Sequence, residues 1–274
     1  MSLTNATILD KNYKKLILQV SLTEVSFCIF DSLKNKIEQI AHFFIDNTSN
    51  SISIEEYLAT VIKNNEALQT TFDDILVLHN NNLLTFVPSV LYDQQYLSSY
   101  MQYNTKVFES DYFTHDEISS YDMNTVYIPY ININNFLIDQ FGSFKYQHSF
   151  TILIKKILDF SKNIEETQVY IHIQKDNFQM IVVKNQKLLL FNTFEFKTDQ
   201  DFMYYVLFAL EQLQLNPESV LVKLFGTISK EHSLYQIAYK YIRNVSLFTE
   251  NYSAETTLSE QDYLQHFILI HTCE

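Results

Sequence analysis

Six polar side chains stand in matched order on two short turns. In residues 168–183, QVYIHIQKDNFQMIVV, His172, Gln174 and Asp176 take alternate positions across a polar turn between apolar runs. In residues 18–25, LQVSLTEV, Gln19, Ser21 and Thr23 do the same. Strand alternation puts residues two apart on one face. Such a turn can hold phosphate when bare backbone N–H groups approach it closely, which glycine permits. It can hold a hard cation such as Mg²⁺ when carboxylates and other oxygens surround the ion. Neither turn contains a glycine, and of the six side chains only Asp176 is a carboxylate.

The other reactive residues form no recognisable site. The eight histidines include no pair spaced i, i+4, and neither H-E-x-x-H nor C-x-x-C occurs, so no metal centre is expected. His148-Ser149 supplies a base and a hydroxyl without an orienting acid at a readable position; Ser149 reads better as a helix cap. The carboxylate pairs Glu55-Glu56, Asp73-Asp74 and Glu165-Glu166 sit beside helix or strand ends, where solvated charge is the ordinary reading. Cys28 and Cys273 are far apart in sequence and make no disulfide framework. The Tyr204-Tyr205 pair reads as an interaction surface or as core.

Glycine is the most informative count. A chain of this length carries roughly 19 glycines at average usage; this one of 274 residues has two, Gly142 and Gly226. A P-loop, a G-x-G-x-x-G turn and a G-x-S-x-G elbow each need more glycines within a few residues, so all three are excluded. A net charge of −13, from 32 acidic and 19 basic residues, argues against nucleic acid or anionic lipid as partner. No signal peptide or apolar run of membrane-spanning length is read, so a cytoplasmic protein without membrane insertion is expected. Met1-Ser2-Leu3 reads equally as native sequence or an expression remnant.

The turns are positioned by two similar runs of elements. Residues 16–20, 25–30 and 37–45 predict a three-stranded meander. Ser53 and Glu56 predict a capping box opening a helix with Ile54, Tyr57, Leu58, Val61 and Ile62 on one face. Strands follow at 75–79, 83–87 and 126–130, with helices at 93–103 and 132–141, the latter ending on Gly142. A helix from Ser149 leads to a second meander at 169–174, 178–184 and 187–196. Thr198 caps an amphipathic helix carrying Phe202, Tyr205, Val206, Ala209, Leu210 and Leu213. A buried strand at 220–225, a helix at 229–241, a strand at 245–248 and a helix at 259–273 complete the chain. Shifting the first meander by 153 residues lays Leu18–Val25 on Ile171–Phe178 with apolar and polar positions mostly matched. Two halves of one β-β-β-α-β-α plan would then face each other across a cleft, where ligands are usually placed.

That plan resembles the actin-like ATPase superfamily, which includes the pilus-platform and cell-division actin homologues. More closely, VYIHIQKDNFQMIVVKNQKLLLFNTFEF, DFMYYVLFALEQLQLNPESV and LFGTIS resemble an uncharacterised bacterial family placed in it. The resemblance implies an α/β, duplicated two-lobed fold of the ribonuclease H-like kind, each lobe a mixed sheet opening with a three-stranded meander and covered by helices. The lobes would span 1–145 and 146–274. It also implies a D-x-G pattern on each first turn, with aspartate for Mg²⁺ and glycine for phosphate. Here Gln19 and His172 stand at the aspartate positions and Ser21 and Gln174 at the glycine positions, while Thr23 keeps a hydroxyl. The superfamily's adenosine strand ends in a glycine pair; Leu224-Phe225-Gly226-Thr227 keeps one glycine of two. The expectation is therefore a non-catalytic protein with vestigial cleft positions at Gln19, Ser21, Thr23, His172, Gln174, Asp176, Gly226 and Thr227, and no cofactor. It would act as an interaction scaffold, with a protein partner or a second copy of the chain. The alternative is a nucleotide-binding ATPase or phosphotransferase with an altered site, and a filament-forming protein is a third class resting on fold analogy alone.

Overall fold

Alternating and continuous apolar runs fold into two five-stranded sheets. A computed structural model of the chain describes residues 11–45, 52–250, 252 and 258–273; Met1-Ser2-Leu3 lies outside these. In the first lobe Lys14–Val20 (β1), Glu24–Asp31 (β2) and Lys36–Phe44 (β3) form the meander, and Ile54–Asn64 (α1) follows. Asp74–His79 (β4) runs parallel to β1. Leu84–Pro88 (β5), Leu97–Met101 (α2), Thr114–Ile118 (β6) and Met123–Tyr127 (β7) form an inserted unit with its own sheet, order β5-β7-β6. Ile131–Phe141 (α3) returns to Lys145–His148 (β8), which completes the order β3-β2-β1-β4-β8. The boundary placed at 145/146 from sequence falls inside β8.

Ser149–Phe160 (α4) leads into the second lobe. Gln168–Ile173 (β9), Asn177–Lys184 (β10), Lys187–Glu195 (β11), Asp199–Gln212 (α5), Leu221–Gly226 (β12), Ser233–Tyr241 (α6) and Asn244–Leu247 (β13) follow, with sheet order β11-β10-β9-β12-β13. Glu260–Gln265 (α7) and Phe267–Thr272 (α8) end the described chain.

The two meanders coincide in register as well as in order. Val20 pairs with Val25, and 153 residues later Ile173 pairs with Phe178. The ladder slips between Ile29 and Phe30 in one lobe and between Val182 and Val183 in the other, again 153 apart. A bulge inserts a residue and bends the strand, so both outer strands curl at the same place.

Each sheet is covered on both faces, so its central strands read as near-continuous apolar runs. In the first lobe Leu16, Leu18, Phe27 and Val77 pack against Leu58 and Val61 of α1 and Ile133 and Leu137 of α3. In the second, Ile171, Met180 and Leu224 pack against Phe202 and Val206 of α5 and Leu234 and Ala238 of α6. The opposite faces, through Ile17, Cys28, Leu76, Tyr170, Ile181 and Phe225, meet in one shared core filled by α4, α7 and α8. These three helices are the joint between the lobes.

Capping chemistry fixes the helix starts. The capping boxes at Ser53/Glu56 and Thr198/Asp201 form as expected, and Ser259/Asp262 makes a third. The structure corrects other expectations. The helix at 93–103 is a 3₁₀ turn, Gln94–Tyr96, followed by the short α2, because the Asp93 carboxylate caps Gln95 N–H and starts a tight turn. The strand at 126–130 lies earlier, at Met123–Tyr127, set by Asp122 in the left-handed region (φ 50°). The C-terminal helix breaks at His266 (φ −104°, ψ 23°) into α7 and α8. The helix expected from Ser229 starts at Ser233, capped by the His232 ring, which accepts from Leu234 N–H. At α4 the cap is likewise a histidine: His148 Nδ1 accepts from Phe150 N–H, while Ser149 Oγ donates to Asn80 Oδ1 (3.0 Å).

Candidate functional site

The two hairpin turns come together at the lobe junction. Ser21, Thr23 and Glu24 of the first and Gln174, Lys175, Asp176 and Asn177 of the second line one groove of about 360 Å³, floored by Asn80, Asn81 and Tyr130. Beneath it, Gln19, His172, Gln174 and Thr227 line a narrow cavity of about 20 Å³, room for about one water. All the sequence-predicted positions except Gly226 therefore line one of these two spaces. Gly226 pairs with Ile173, which itself lines the narrow cavity.

Ser21 is spent within its own turn. Its hydroxyl accepts from Thr23 N–H (3.2 Å) and Glu24 N–H (3.0 Å), while Ser21 N–H donates to Glu24 O (2.9 Å). The backbone N–H groups that a glycine would leave free for an anion already have an acceptor. Ser21→Ala is expected to cost about 1 kcal/mol, since the released N–H groups lie at the groove and can take water. Urea unfolding checks it; a loss beyond about 3 kcal/mol would mean that this hydroxyl supports more than its turn.

The second turn is closed by side chains. His172 Nδ1 lies 2.8 Å from Gln179 Oε1, so it carries the proton and donates. Gln179 Nε2 donates to Asn177 Oδ1 (2.8 Å) and Gln174 Oε1 (3.3 Å). The His172 ring rests 5.0 Å from the Phe225 ring, and burial pulls its pKa down to about 4, so it is neutral near pH 7. At the corresponding first-lobe position Gln19 is half-buried.

Gly226 has a structural requirement. Its φ is +94°, and a Cβ there would stand 2.1 Å from Ile173 O and 2.8 Å from Ile173 N. The next residue donates back to β9, Thr227 N–H to Ile173 O at 2.8 Å. The first lobe makes the same bond with Asn80 N–H to Val20 O at 2.9 Å, yet carries His79 where the second has Gly226.

The electrostatics of the groove are adverse to phosphate. Glu24, Asp176 and Glu195 face it against Lys175 alone, whose Nζ lies 5.7 Å from the Phe44 ring across the lobe junction. Glu24 sits 3.4 Å from His42 Nε2, and burial pushes its carboxyl up. His42 itself is pulled down by burial, with Ser26 Oγ 2.8 Å from its Nδ1 and the His266 ring 5.9 Å away. Among the described residues no group of three or more His, Cys, Asp or Glu could hold a metal ion.

Sequence reasoning missed three features. His42 and His266 join the junction through tertiary contacts that no spacing announces. A groove of about 940 Å³ runs between the edge strands β5 and β11, with Phe86 and Phe191 in edge contact at 5.1 Å; only the apolar run LLLF of β11 hinted at it. The third is a buried carboxylate, Asp116, which accepts from Tyr127 OH (3.1 Å), Thr151 Oγ1 (2.7 Å) and the backbone N–H of His148 (2.7 Å). Because Asp116 holds the backbone of His148 and the ring caps α4, His148-Ser149 is not arranged as an acid–base–nucleophile relay.

Residues 4–245 match the model of the family described as protein of unknown function (DUF3822). The chain belongs to this family. A search of curated protein sequences finds no match. Among solved structures, a Bacteroides thetaiotaomicron protein with actin-like ATPase fold and unknown function superposes with a TM-score of 0.80 at 20% identity, covering 96% of this chain and 97% of that one. The PilM-PilN type IV pilus biogenesis complex superposes at 0.56 with 11% identity, over 94% and 97%. The ethanolamine utilization protein EutJ from Carboxydothermus hydrogenoformans does so at 0.50 with 6% identity, over 95% and 89%. At these identities the likeness shows the fold: this DUF3822 protein has the actin-like ATPase fold, with two sheet-rich lobes. No helix among its described residues is long and apolar enough to cross a membrane.

Proposed function

We propose that this DUF3822 protein is a non-catalytic actin-like protein of the cytoplasm, built from duplicated lobes, that serves as a scaffold for a protein partner. The observation that carries this reading is the occupation of the first turn's N–H groups by the Ser21 hydroxyl. The closed His172–Gln179–Asn177 chain and the acidic groove support it. A structurally similar protein, PilM, is found in complex with PilN, which gives the fold a precedent in assembly.

The rival reading, an altered nucleotide site, is favoured by one feature: the groove between the turns is open, at about 360 Å³. Thermal unfolding with and without ATP and Mg²⁺ separates the two. A ligand at about 100 times its Kd adds roughly 2.7 kcal/mol, several degrees in Tm for a chain of this size. The scaffold reading expects no shift at millimolar ATP. A Mg²⁺-dependent rise, together with ATP turnover that Gln174→Ala abolishes, would replace it with the enzyme reading.

A further inference from the structure

The two cysteines of the chain, separated by 245 positions, meet with their sulfurs 3.5 Å apart. Cys28 lies on β2 and faces the shared core between the sheets, fully buried. Cys273 follows the last residue of α8 and is half-buried; its thiol also lies 3.4 Å from Leu269 O. The approach has independent support beside it: Lys15 Nζ donates to Thr272 O (3.3 Å), tying the end of α8 to β1. Closing from 3.5 Å to a bond of about 2.05 Å takes a side-chain rotation at a helix end, where backbone restraint is weakest.

We propose that Cys28 and Cys273 form a paired dithiol that a low-molecular-weight disulfide converts to an intramolecular disulfide. Cys273, the half-exposed member, meets the oxidant first. Its thiolate attacks one sulfur of RSSR, forms the mixed disulfide and expels RS⁻, which takes a proton. Cys28 then gives up its proton, attacks the Cys273 sulfur and expels the second RS⁻. The balance is two protein thiols and RSSR in, one protein disulfide and two RSH out. The hydrogen bond with the Cys273 sulfur, and then burial, hold Cys28 in its thiol form, so the second step is the slow one.

The bond has a structural consequence at the lobe junction. Ile268 and Leu269 of α8 line the narrow cavity with Gln19 of one lobe and His172 of the other. Fixing Cys273 to β2 fixes the helix that both lobes lean on, so oxidation would stiffen the joint.

The test uses the whole chain incubated with oxidised glutathione, quenched in acid, unfolded, alkylated with N-ethylmaleimide and weighed intact. Both alkylation sites are expected to disappear together, leaving a mass lower by about 2 Da with no glutathione retained, and dithiothreitol restores both. Cys28→Ser is expected to accumulate the glutathione adduct on Cys273, and Cys273→Ser to leave Cys28 unmodified while folded. Amide exchange in α8 slows on oxidation of the natural chain. The proposal is overturned if the natural chain keeps two alkylatable thiols, stops at a stable single adduct, or cross-links only between molecules.

Discussion

Gly226→Ala is expected to destabilise the protein by on the order of 4 kcal/mol or more, the range reached when backbone strain and an immovable clash coincide. The added Cβ would meet Ile173 O at 2.1 Å and Ile173 N at 2.8 Å, and both are backbone atoms of the central strand β9. That strand is hydrogen-bonded on both sides, to β10 and β12, so it cannot withdraw without loosening two ladders. The positive φ of +94° adds strain for any L side chain. Gly142→Ala is the internal control: its φ is +77°, but no atom lies within 4 Å of the new Cβ. It should cost about 1–2 kcal/mol, from backbone strain alone. Urea unfolding of the pair decides the matter. If Gly226→Ala stays within about 1 kcal/mol of the natural chain, the glycine is held for something other than the β9 contact, and a ligand becomes the leading explanation.

The same residue shows what the sequence could and could not reveal. Its position at the end of an apolar strand was legible, and the resemblance implied an adenosine contact. The approach of Ile173 was not legible, because it depends on a parallel pairing between β9 and β12 that spans an entire helix. The meanders were legible for a physical reason: apolar runs with polar breaks state strand, turn and register together, and the shift of 153 residues held through to the bulges. Polar strands were not. KYQH of β8 and THDEI of β6 carry no apolar alternation; parallel pairing to β4 makes one and antiparallel pairing to β7, with Asp116 buried, the other. Two helix starts were missed because a histidine ring is the cap, His148 in place of the expected Ser149, and His232 ahead of a helix expected to run from 229; each ring offers an acceptor to the N–H two residues on. Cys28 and Cys273 failed as a pair because sequence distance says nothing about a C-terminal helix folding back on the second strand.

Acid is expected to unfold the protein near pH 5, before most carboxylates have taken up a proton. Besides His42, which burial moves in the same direction, four histidines are buried and held neutral: His79, His172 and His266 are pulled down to about 4 and His148 to about 3, in each case first by burial. In the unfolded chain a histidine titrates near 6.5. The folded-state values are depressed, so the stability these groups contribute is fully present above about pH 6.5 and is lost as pH falls toward 4. Each contributes about 1.4 kcal/mol per pH unit inside that window, so together they impose a slope of roughly 5 kcal/mol per unit once the unfolded chain is protonated. Against a total stability of about 5–15 kcal/mol, the loss becomes decisive near pH 5. Asp116 and Glu24 act in the opposite sense, because burial raises both carboxyls and their protonation favours the fold as pH falls. They are two groups against four, so the net direction stands. The denaturation midpoint should hold level from pH 7.5 to about 6.5 and fall from there to pH 5, with a net uptake of protons on unfolding at the lower end to which these four histidines contribute nearly one each, less what Asp116 and Glu24 release. His172→Gln should remove about one of those protons, because Gln cannot titrate and can still bond with Gln179. A midpoint that stays flat across this range would mean that the buried imidazoles carry protons in the fold, and the neutral His172–Gln179 pair at the lobe junction would have to be redrawn.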